Sequence, residues 1–497
     1  MNTIPLFVAI PLLAAFLVSL LGKKHKALPD YLSNLATLVL SILSLFSILI
    51  VKNSGILVYK VGGWIPPIGI ALVMDSLSVF MLVTVNVIAF LVTVYSISYM
   101  EKYTDKWKFY TLFLLMLAGM NGIIIAGDMF NLFVFLEIAS IASYALVAYG
   151  TEQEELEAAF KYMVMGSVAS SFILLAIAIL YSYTSTLNMA DMSFVLSQKG
   201  LGNVGLFVTV LFLVGFGLKA AIVPFHAWLP DAHPSAPAPI SAMLSGVLIK
   251  VLGIYALIRI VFNVIGVSPA ILSILIVLGV ISMCVGAFLA IGQSDMKRML
   301  AYSSVSQIGY IVLAVGIATP LAILGALFHL INHAVFKSLL FLNSGAVEYA
   351  TGTRDLNKMG GLNSQMPVTG YTSLIGSMSI SGIPPLSGFW SKLIIIFAAI
   401  QAQRYGLAWI AIIVSIITLA YYLKLQNNAF FGSLKKGLEK IKEVPLPMRL
   451  SMTALALICI FGGLLLIPAI NLGFLDAAVQ ALLTGKQYAL LVLESIK

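Results

Sequence analysis

Runs of about twenty apolar residues recur along the whole chain, parted by short polar stretches. An α-helix needs about 20 such residues to cross the hydrocarbon of a bilayer. Fourteen runs meet that length, near 3–21, 31–51, 72–99, 109–126, 129–149, 160–182, 204–222, 236–260, 269–290, 299–317, 320–347, 368–401, 405–424 and 448–470. The pattern predicts an all-α polytopic membrane protein of about 14 transmembrane helices. The first run, Thr3–Leu21, has no basic residue before it and reads as a span, not as a cleaved leader. One loop departs from the helical pattern. Ile56–Gly62 (ILVYKVG) alternates, and Gly69–Asp75 (GIALVMD) follows Pro66 and Pro67. The alternation fits a short β-hairpin; the second half fits equally the beginning of the third span.

Composition agrees with a membrane protein. Hydrophobic residues make up 61% of the chain and charged residues 9%, with a mean hydropathy of +1.06. A soluble domain is about a quarter charged, so this chain has too few charges to cover a water-facing surface. Its two cysteines, Cys284 and Cys459, lie in apolar runs and read as small buried residues. A cysteine-held iron–sulfur cluster needs about four ligands, so none is expected. The net charge of +9 invites a nucleic-acid reading, but the basic residues stand in short loops between spans. Of the 28 Lys and Arg, seventeen follow odd-numbered spans, seven lie on the opposite side and four lie inside spans. By the positive-inside rule this places both termini outside the cytoplasm. There is no P-loop, no dinucleotide fingerprint, no recognisable quinone site and no loop long enough for a catalytic domain. The chain is expected to hold no cofactor, no metal and no catalytic centre of its own.

The four lysines inside spans are Lys219, Lys250, Lys337 and Lys392, and Glu137 stands in the apolar stretch FNLFVFLEIASIASYALVAYG (Phe130–Gly150). A charge at bilayer depth costs at least about 2.5–3.5 kcal/mol. Snorkelling relieves that cost near span ends, but Glu137, Lys250 and Lys337 sit near span centres. Lys219 and Lys392 sit beside helix breaks, where water can reach. His329, His333 and Lys337 are spaced i, i+4, i+8, which keeps them on one helix face. Three readings of this row stay open. The histidines could be metal ligands, although no third ligand stands nearby; a pair of satisfied core histidines; or, with the lysine, a proton relay.

The seventh and twelfth spans are broken. The seventh reads GFGLKAAIVPFHAWLP (Gly215–Pro230), with Pro224 in its middle; the twelfth reads SISGIPPLSGFWSK (Ser379–Lys392), with Gly382, Pro384 and Pro385. Proline removes a backbone donor and ends regular helix, and such breaks at membrane depth need protein or water to satisfy the freed groups. Paired breaks in two repeats point to a transport path. Two unrelated proline kinks are the alternative. Lys219 and Lys392 lie about 173 residues apart, which suggests two five-span repeats, spans 4–8 and 9–13. The chain then divides into 1–104 (spans 1–3), 105–262 (first repeat), 263–425 (second repeat) and 426–497 (span 14 and tail).

Four stretches in this order resemble one family: Phe130–Gly150; KAAIVPFHAWLPDAHPSAPAPISAMLSGVLIKVLGIYAL (Lys219–Leu257); KRMLAYSSVSQIGY (Lys297–Tyr310); and HLINHAVFKSLLFLNSG (His329–Gly345). The family is that of antiporter-like membrane subunits. It includes the D subunit of Mrp sodium/proton antiporters, the M, N and L subunits of respiratory complex I, and the H subunit of archaeal membrane-bound hydrogenases and their sulfur-reducing relatives. The resemblance implies fourteen spans, two inverted five-helix repeats and a polar axis along the middle of the membrane. It makes Glu137 the carboxylate of the fifth span and Lys219 its partner on the broken seventh. Lys250 becomes the bridging lysine, His329, His333 and Lys337 the continuation, and Lys392 the terminus. Some complex I subunits carry Glu at that last place. Only about 27 residues follow the fourteenth span, too few for the long C-terminal helix of an L subunit.

What the resemblance implies for function is a proton-translocating subunit of a multisubunit membrane complex coupled to a redox module that is hydrogenase-like, sulfur-reducing or complex I-like. The alternative is the D subunit of an Mrp-type Na⁺/H⁺ antiporter without redox chemistry. A scaffold with dead relay residues gains nothing from five buried charges. The expected partners are a homologous antiporter-like subunit, small membrane subunits, an iron–sulfur arm in the redox case, and lipid; nucleic acid is not expected. The expected location is a prokaryotic cell membrane. A Glu137–Lys219 pair at 4 Å is worth about 4 kcal/mol at an effective dielectric of 20. Drawing Glu137 toward a neighbour therefore frees the lysine's proton to move along the row. Ser303, Ser304, Ser306, Gln307 and Tyr310 of the tenth span are candidates to hold connecting water, or to make ordinary interhelical hydrogen bonds.

Overall fold

A computed structural model describes residues 3–200, 202–467 and 473–496. All fourteen expected spans are present as helix among them. In chain order they are α1 (Leu6–Leu21), α2 (Leu28–Ser54), α3 (Ser76–Tyr99), α4 (Lys106–Ile125), α5 (Met129–Val147) and α6 (Gln153–Thr184). After a short helix α7 (Met189–Lys199) comes the seventh span, split into α8 (Gly202–Ala220) and α9 (Leu229–Ser235). Then follow α10 (Ala238–Ile265), α11 (Pro269–Ile291), α12 (Met296–Ile317) and α13 (Pro320–Thr351). The twelfth span is split into α14 (Pro367–Ser381) and α15 (Ser387–Gln401), and α16 (Tyr405–Ala429) and α17 (Leu446–Leu466) complete the set. Positions 468–470, at the end of the expected fourteenth span, lie outside the described residues. Two further helices, α18 (Phe474–Leu483) and α19 (Gly485–Ile496), follow.

Local chemistry sets the boundaries. The side chains of Asp75, Asp128, Ser268, Asp295 and Thr319 accept backbone N–H groups at the starts of α3, α5, α11, α12 and α13, satisfying donors that a helix leaves unpaired. Small residues bring the helices close, as association in lipid favours. A Cβ on Gly279 of α11 would come within 2.5 Å of the Leu313 nitrogen of α12, and one on Gly309 of α12 equally near the Met283 nitrogen of α11.

The central lysines and histidines lie on enclosed helices. The apolar stretch of α10 is wholly buried and those of α12 and α13 nearly so, whereas α2, α6, α11, α16 and α17 bury 39% of theirs or less. α10 is also unusual in its winding: Leu244–Leu248, Lys250–Tyr255 and Arg259–Ile265 are π-helical, a rare form that is frequent at functional sites.

The alternating loop is a hairpin and not the start of a span. Strands β1 (Leu57–Lys60) and β2 (Ala71–Met74) pair antiparallel, Leu57 opposite Met74 and Lys60 opposite Ala71. Val58, Ala71 and Val73 form a small separate core with Ala190 of α7 and Tyr488, Ala489 and Val492 of α19. The hairpin, α7 and the C-terminal helices thus make a cap over one end of the bundle.

A buried ion pair ties this cap to the bundle. Arg259, near the end of α10, reaches Asp75 at the start of α3 with two nitrogens, at 2.6 and 2.7 Å. Its guanidinium also faces the rings of Tyr255 and Tyr488 at 5.5 and 5.1 Å. Burial pushes the Asp75 carboxyl up, but Arg259 and the Ser78 N–H and hydroxyl outweigh it and hold the group below its usual range. Stability from this pair is therefore present above the unfolded carboxylate value of about 3.9 and is lost as pH falls through the lower folded value. Breaking such a buried pair costs about 3–5 kcal/mol, whereas replacing both partners by apolar residues costs far less. Thermal unfolding in detergent is expected to show Asp75→Asn strongly destabilised, with the double variant Asp75→Leu/Arg259→Leu recovering most of the loss.

Candidate functional site

The seven ionisable residues singled out from the sequence lie on α5, α8, α10, α13 and α15. At one end, Glu137 on α5 lies 3.9 Å from the Nζ of Lys219 in the last turn of α8. The Glu137 side chain is 31% exposed and that of Lys219 only 2%. Ser170 of α6 donates a hydrogen bond to Glu137. Lys219 donates to Ser140 Oγ at 2.9 Å and to Tyr144 OH at 3.2 Å. The exposed apolar residues of α5 nearest to Glu137, Phe130, Val134 and Ile141, share its helix face by spacing, so the carboxylate opens onto the lateral surface of the bundle.

The break after Lys219 is held by side chains. The Val223 N–H donates to Ser282 Oγ at 3.0 Å, and Trp228 Nε1 donates to the Leu218 carbonyl at 3.0 Å. Pro224 stands between these contacts. Gly253 lets α10 meet the end of α8, since a Cβ there would fall 2.4 Å from that of Ala220.

In the middle, Lys250 of α10 is fully buried and donates to the Ser245 carbonyl of its own helix. Ser245 Oγ meets Ser304 Oγ of α12 at 2.6 Å. Lys337 of α13 is also fully buried and donates to the Leu300 carbonyl at 2.7 Å and to Tyr422 OH at 3.2 Å. His329 and His333 lie on the same helix with ring centres 6.3 Å apart. His329 bonds Ser391 Oγ through Nδ1 at 2.9 Å and Gln307 Oε1 through Nε2 at 3.2 Å. Both ring nitrogens of His333 are buried with no partner among the described residues, which leaves them ready to bond a passing donor or acceptor. Among the described residues, no group of three or more His, Cys, Asp or Glu is arranged to hold a metal ion.

At the far end, Lys392 of α15 donates to Ser415 Oγ at 3.1 Å and sits 5.0 Å over the ring of Tyr310. The second break lies directly beside it. Gly382 adopts φ +83°, a left-handed conformation suited to glycine, and a Cβ there would approach the Lys392 side chain to 3.2 Å. Pro384 and Pro385 then lead into α15. A cavity of about 240 Å³ opens from Lys392 between α14, α15 and α16.

The structure brings Glu137 to Lys219 and joins Lys250 to Lys337 through Ser245, Ser304 and the Leu300 carbonyl; among the described residues no hydrogen bond joins Lys219 to Lys250 or reaches the His333 ring. The tenth-span residues divide. Ser303, Ser304 and Gln307 bond Tyr422, Ser245 and His329 in the row, whereas Ser306 and Tyr310 bond carbonyls of α11 and α16. Sequence reasoning missed the neutral partners Ser140, Tyr144, Ser170, Tyr422, Ser391 and Ser415. Their hydroxyls become informative only when another span brings a charge beside them.

Comparison with known proteins gives concordant matches. Residues 126–418 match the family described as NADH:quinone oxidoreductase/Mrp antiporter, TM, and residues 64–110 match NADH-Ubiquinone oxidoreductase (complex I), chain 5 N-terminus. The D subunit of the Na(+)/H(+) antiporter of Alkalihalophilus pseudofirmus is 36% identical over 92% of this chain and 94% of its own length. A chain of the Mrp complex from Dietzia sp. superposes with a TM-score of 0.91 at 28% identity, over 99% of this chain and all of its own. A chain of the membrane-bound sulfane sulfur reductase, an archaeal respiratory membrane complex, superposes with a TM-score of 0.88 at 31% identity over 99% of both.

Among the described residues, Lys250 and Lys337 meet only neutral oxygens. A buried charge without a counter-charge works against the fold, because the hydration it gives up is not repaid by an opposite charge. Lys250→Met and Lys337→Met are therefore each expected to raise the midpoint of thermal unfolding in detergent. A lowered midpoint in both would contradict this account of the central lysines.

Proposed function

The chain belongs to the NADH:quinone oxidoreductase/Mrp antiporter family of membrane subunits, and from that membership we propose that it carries protons through the membrane along the row from Glu137 to Lys392. The observation that supports this best is the set of contacts these residues make. Glu137 stands beside Lys219, Lys250 is joined to Lys337 through Ser245, Ser304 and the Leu300 carbonyl, and His329 and Lys392 bond Ser391 and Ser415. Charges inside a membrane protein mark ion pathways and proton relays.

In this reading Glu137 and Lys219 form the switch. At 3.9 Å the carboxylate favours the charged lysine. A carboxylate open to the lateral face of a span is costly against lipid, so a neighbouring membrane protein of the same complex packs on α5 and offers it a polar partner. When Glu137 turns to that partner, Lys219 gives up its proton toward Lys250. Lys337 and the imidazoles of His333 and His329 hand charge on to Lys392.

Residues 105–262 and 263–425 are proposed as two repeats. The broken span is the fourth of five in each, and five being odd, the second unit begins on the opposite side of the membrane from the first, as inverted repeats do. The positive-inside count places the ends bearing Lys106, Lys297 and Arg354 in the cytoplasm and both termini outside it, in a prokaryotic cell membrane.

The subunit works within a larger membrane complex, driven by a redox module in the manner suggested by its likeness to the sulfane sulfur reductase chain. A second reading, exchange of sodium for protons without redox chemistry, is favoured by the full-length match to the antiporter's D subunit. Mass spectrometry of the assembly purified in mild detergent separates them: iron–sulfur or hydrogenase-like subunits support the first, and small membrane subunits alone support the second. In either assembly Glu137→Ala is expected to abolish ion movement in vesicles. A variant with full activity would refute the switch.

A further inference from the structure

A second set of buried ionisable groups lies at the end of the bundle that carries Lys297, Arg298 and Arg354, outside the row already described. Lys297, in the first turn of α12, is 2% exposed, and its Nζ lies 2.9 Å from Glu348 Oε2 near the end of α13. It also donates to the Ala236 carbonyl at 3.1 Å, between α9 and α10. Arg354 flanks the pair: its Nε stands 3.8 Å from Glu348 Oε1 and 3.3 Å from Asp295 Oδ2, and its guanidinium donates to the Pro234 carbonyl. A cavity of about 480 Å³ opens onto this cluster, lined by Glu152, Glu155, Ser235, Lys297, Glu348 and others.

His233 stands behind the cluster, on α9. It is fully buried with its ring against Phe341 at 4.6 Å. Neither ring nitrogen has a hydrogen-bond partner among the described residues. Phe341 lies one helical turn beyond Lys337 on α13. The His233 carbonyl accepts from Ser241 Oγ at 2.8 Å, one turn before Ser245, whose own carbonyl accepts from Lys250, and the Ala236 carbonyl three residues on accepts from Lys297. His233 thus stands between the cluster at the cavity and the two central lysines. An apolar side chain would fill this place without leaving two polar atoms unpaired. An imidazole can take a proton on one nitrogen and release one from the other.

We infer that His233 is the uptake relay that loads the central lysines from the cytoplasmic face, with the Lys297–Glu348 ion pair as its gate. The proton balance is simple. A proton from the cavity neutralises Glu348, which loosens its hold on Lys297. It then binds one nitrogen of His233, and the proton on the other nitrogen passes to Lys250 or Lys337. No bond other than those to hydrogen forms or breaks. This inference rests on the reading that those two lysines carry protons.

The test uses the intact complex in inside-out vesicles, where the cavity faces the added medium. His233→Gln is expected to slow proton translocation about 10²-fold, the effect of removing a proton-transfer group. His233→Ala is expected to regain part of its rate when imidazole is added to the medium, a rescue that a packing role would not give. Glu348→Gln keeps the hydrogen bond to Lys297 but cannot be protonated, and is expected to slow translocation similarly; it decides the matter should the His233 variants fail to assemble. Full activity in His233→Gln or Glu348→Gln, or loss in His233→Ala without rescue, overturns the uptake route while an inactive Glu137→Ala leaves the row intact. Full activity in Glu137→Ala as well removes the row and the route with it.

Discussion

The cost of holding charge away from water governs this structure. Each ionised group at membrane depth is unfavourable by at least about 2.5–3.5 kcal/mol, and the spans carry five ionisable groups, Glu137, Lys219, Lys250, Lys337 and Lys392. The fold answers by enclosure. α10, α12 and α13 are surrounded by other helices, and the lysines and histidines project among them. The outer helices, with their exposed leucines and isoleucines, meet the lipid. Enclosure replaces the hydration that was lost with hydroxyls and carbonyls, such as Ser140 and Tyr144 around Lys219 and Ser415 beside Lys392.

The same constraint explains why the two interrupted spans are where they are. A continuous helix satisfies all of its own backbone and offers nothing to a proton. At Ala221–Trp228 and Gly382–Leu386 the helix opens, and side chains such as Ser282 take up part of the freed backbone. A lysine stands beside each opening. The outer cap follows the opposite logic. There, Asp75 and Arg259 bind each other tightly and are surrounded by aromatic rings. The lysines of the spans donate to neutral hydroxyls and carbonyls, whereas Arg259 under the cap meets a full counter-charge in Asp75.

Much of this was legible in the sequence, for a physical reason. Hydropathy marks spans because lipid tolerates no unsatisfied backbone, and an isolated Glu137 or Lys250 within an apolar run stands out against that background. The alternation of Ile56–Gly62 pointed to the hairpin that forms. What stayed hidden was relational. Arg259 reads as an ordinary basic residue at the end of a span until α3 brings Asp75 to it. Glu348, Lys297 and His233 lie near span ends, where charge is unremarkable, and only the folded arrangement makes them one cluster. α7 was passed over because eleven residues are too few to cross a bilayer, although Met189, Met192 and Leu196 recur at helical spacing behind the cap at Asn188.

The sideways opening of Glu137 has a consequence for how the protein is made. A newly inserted copy, alone in the bilayer, shows a carboxylate among Phe130, Val134 and Ile141, where hydrocarbon would lie against it. The lone chain is thus less comfortable in the membrane than the assembled one by the cost of that single group. On the proposed role, the carboxylate that switches transport in the complex is also the group that a neighbouring subunit must cover, so biogenesis and turnover would share one residue.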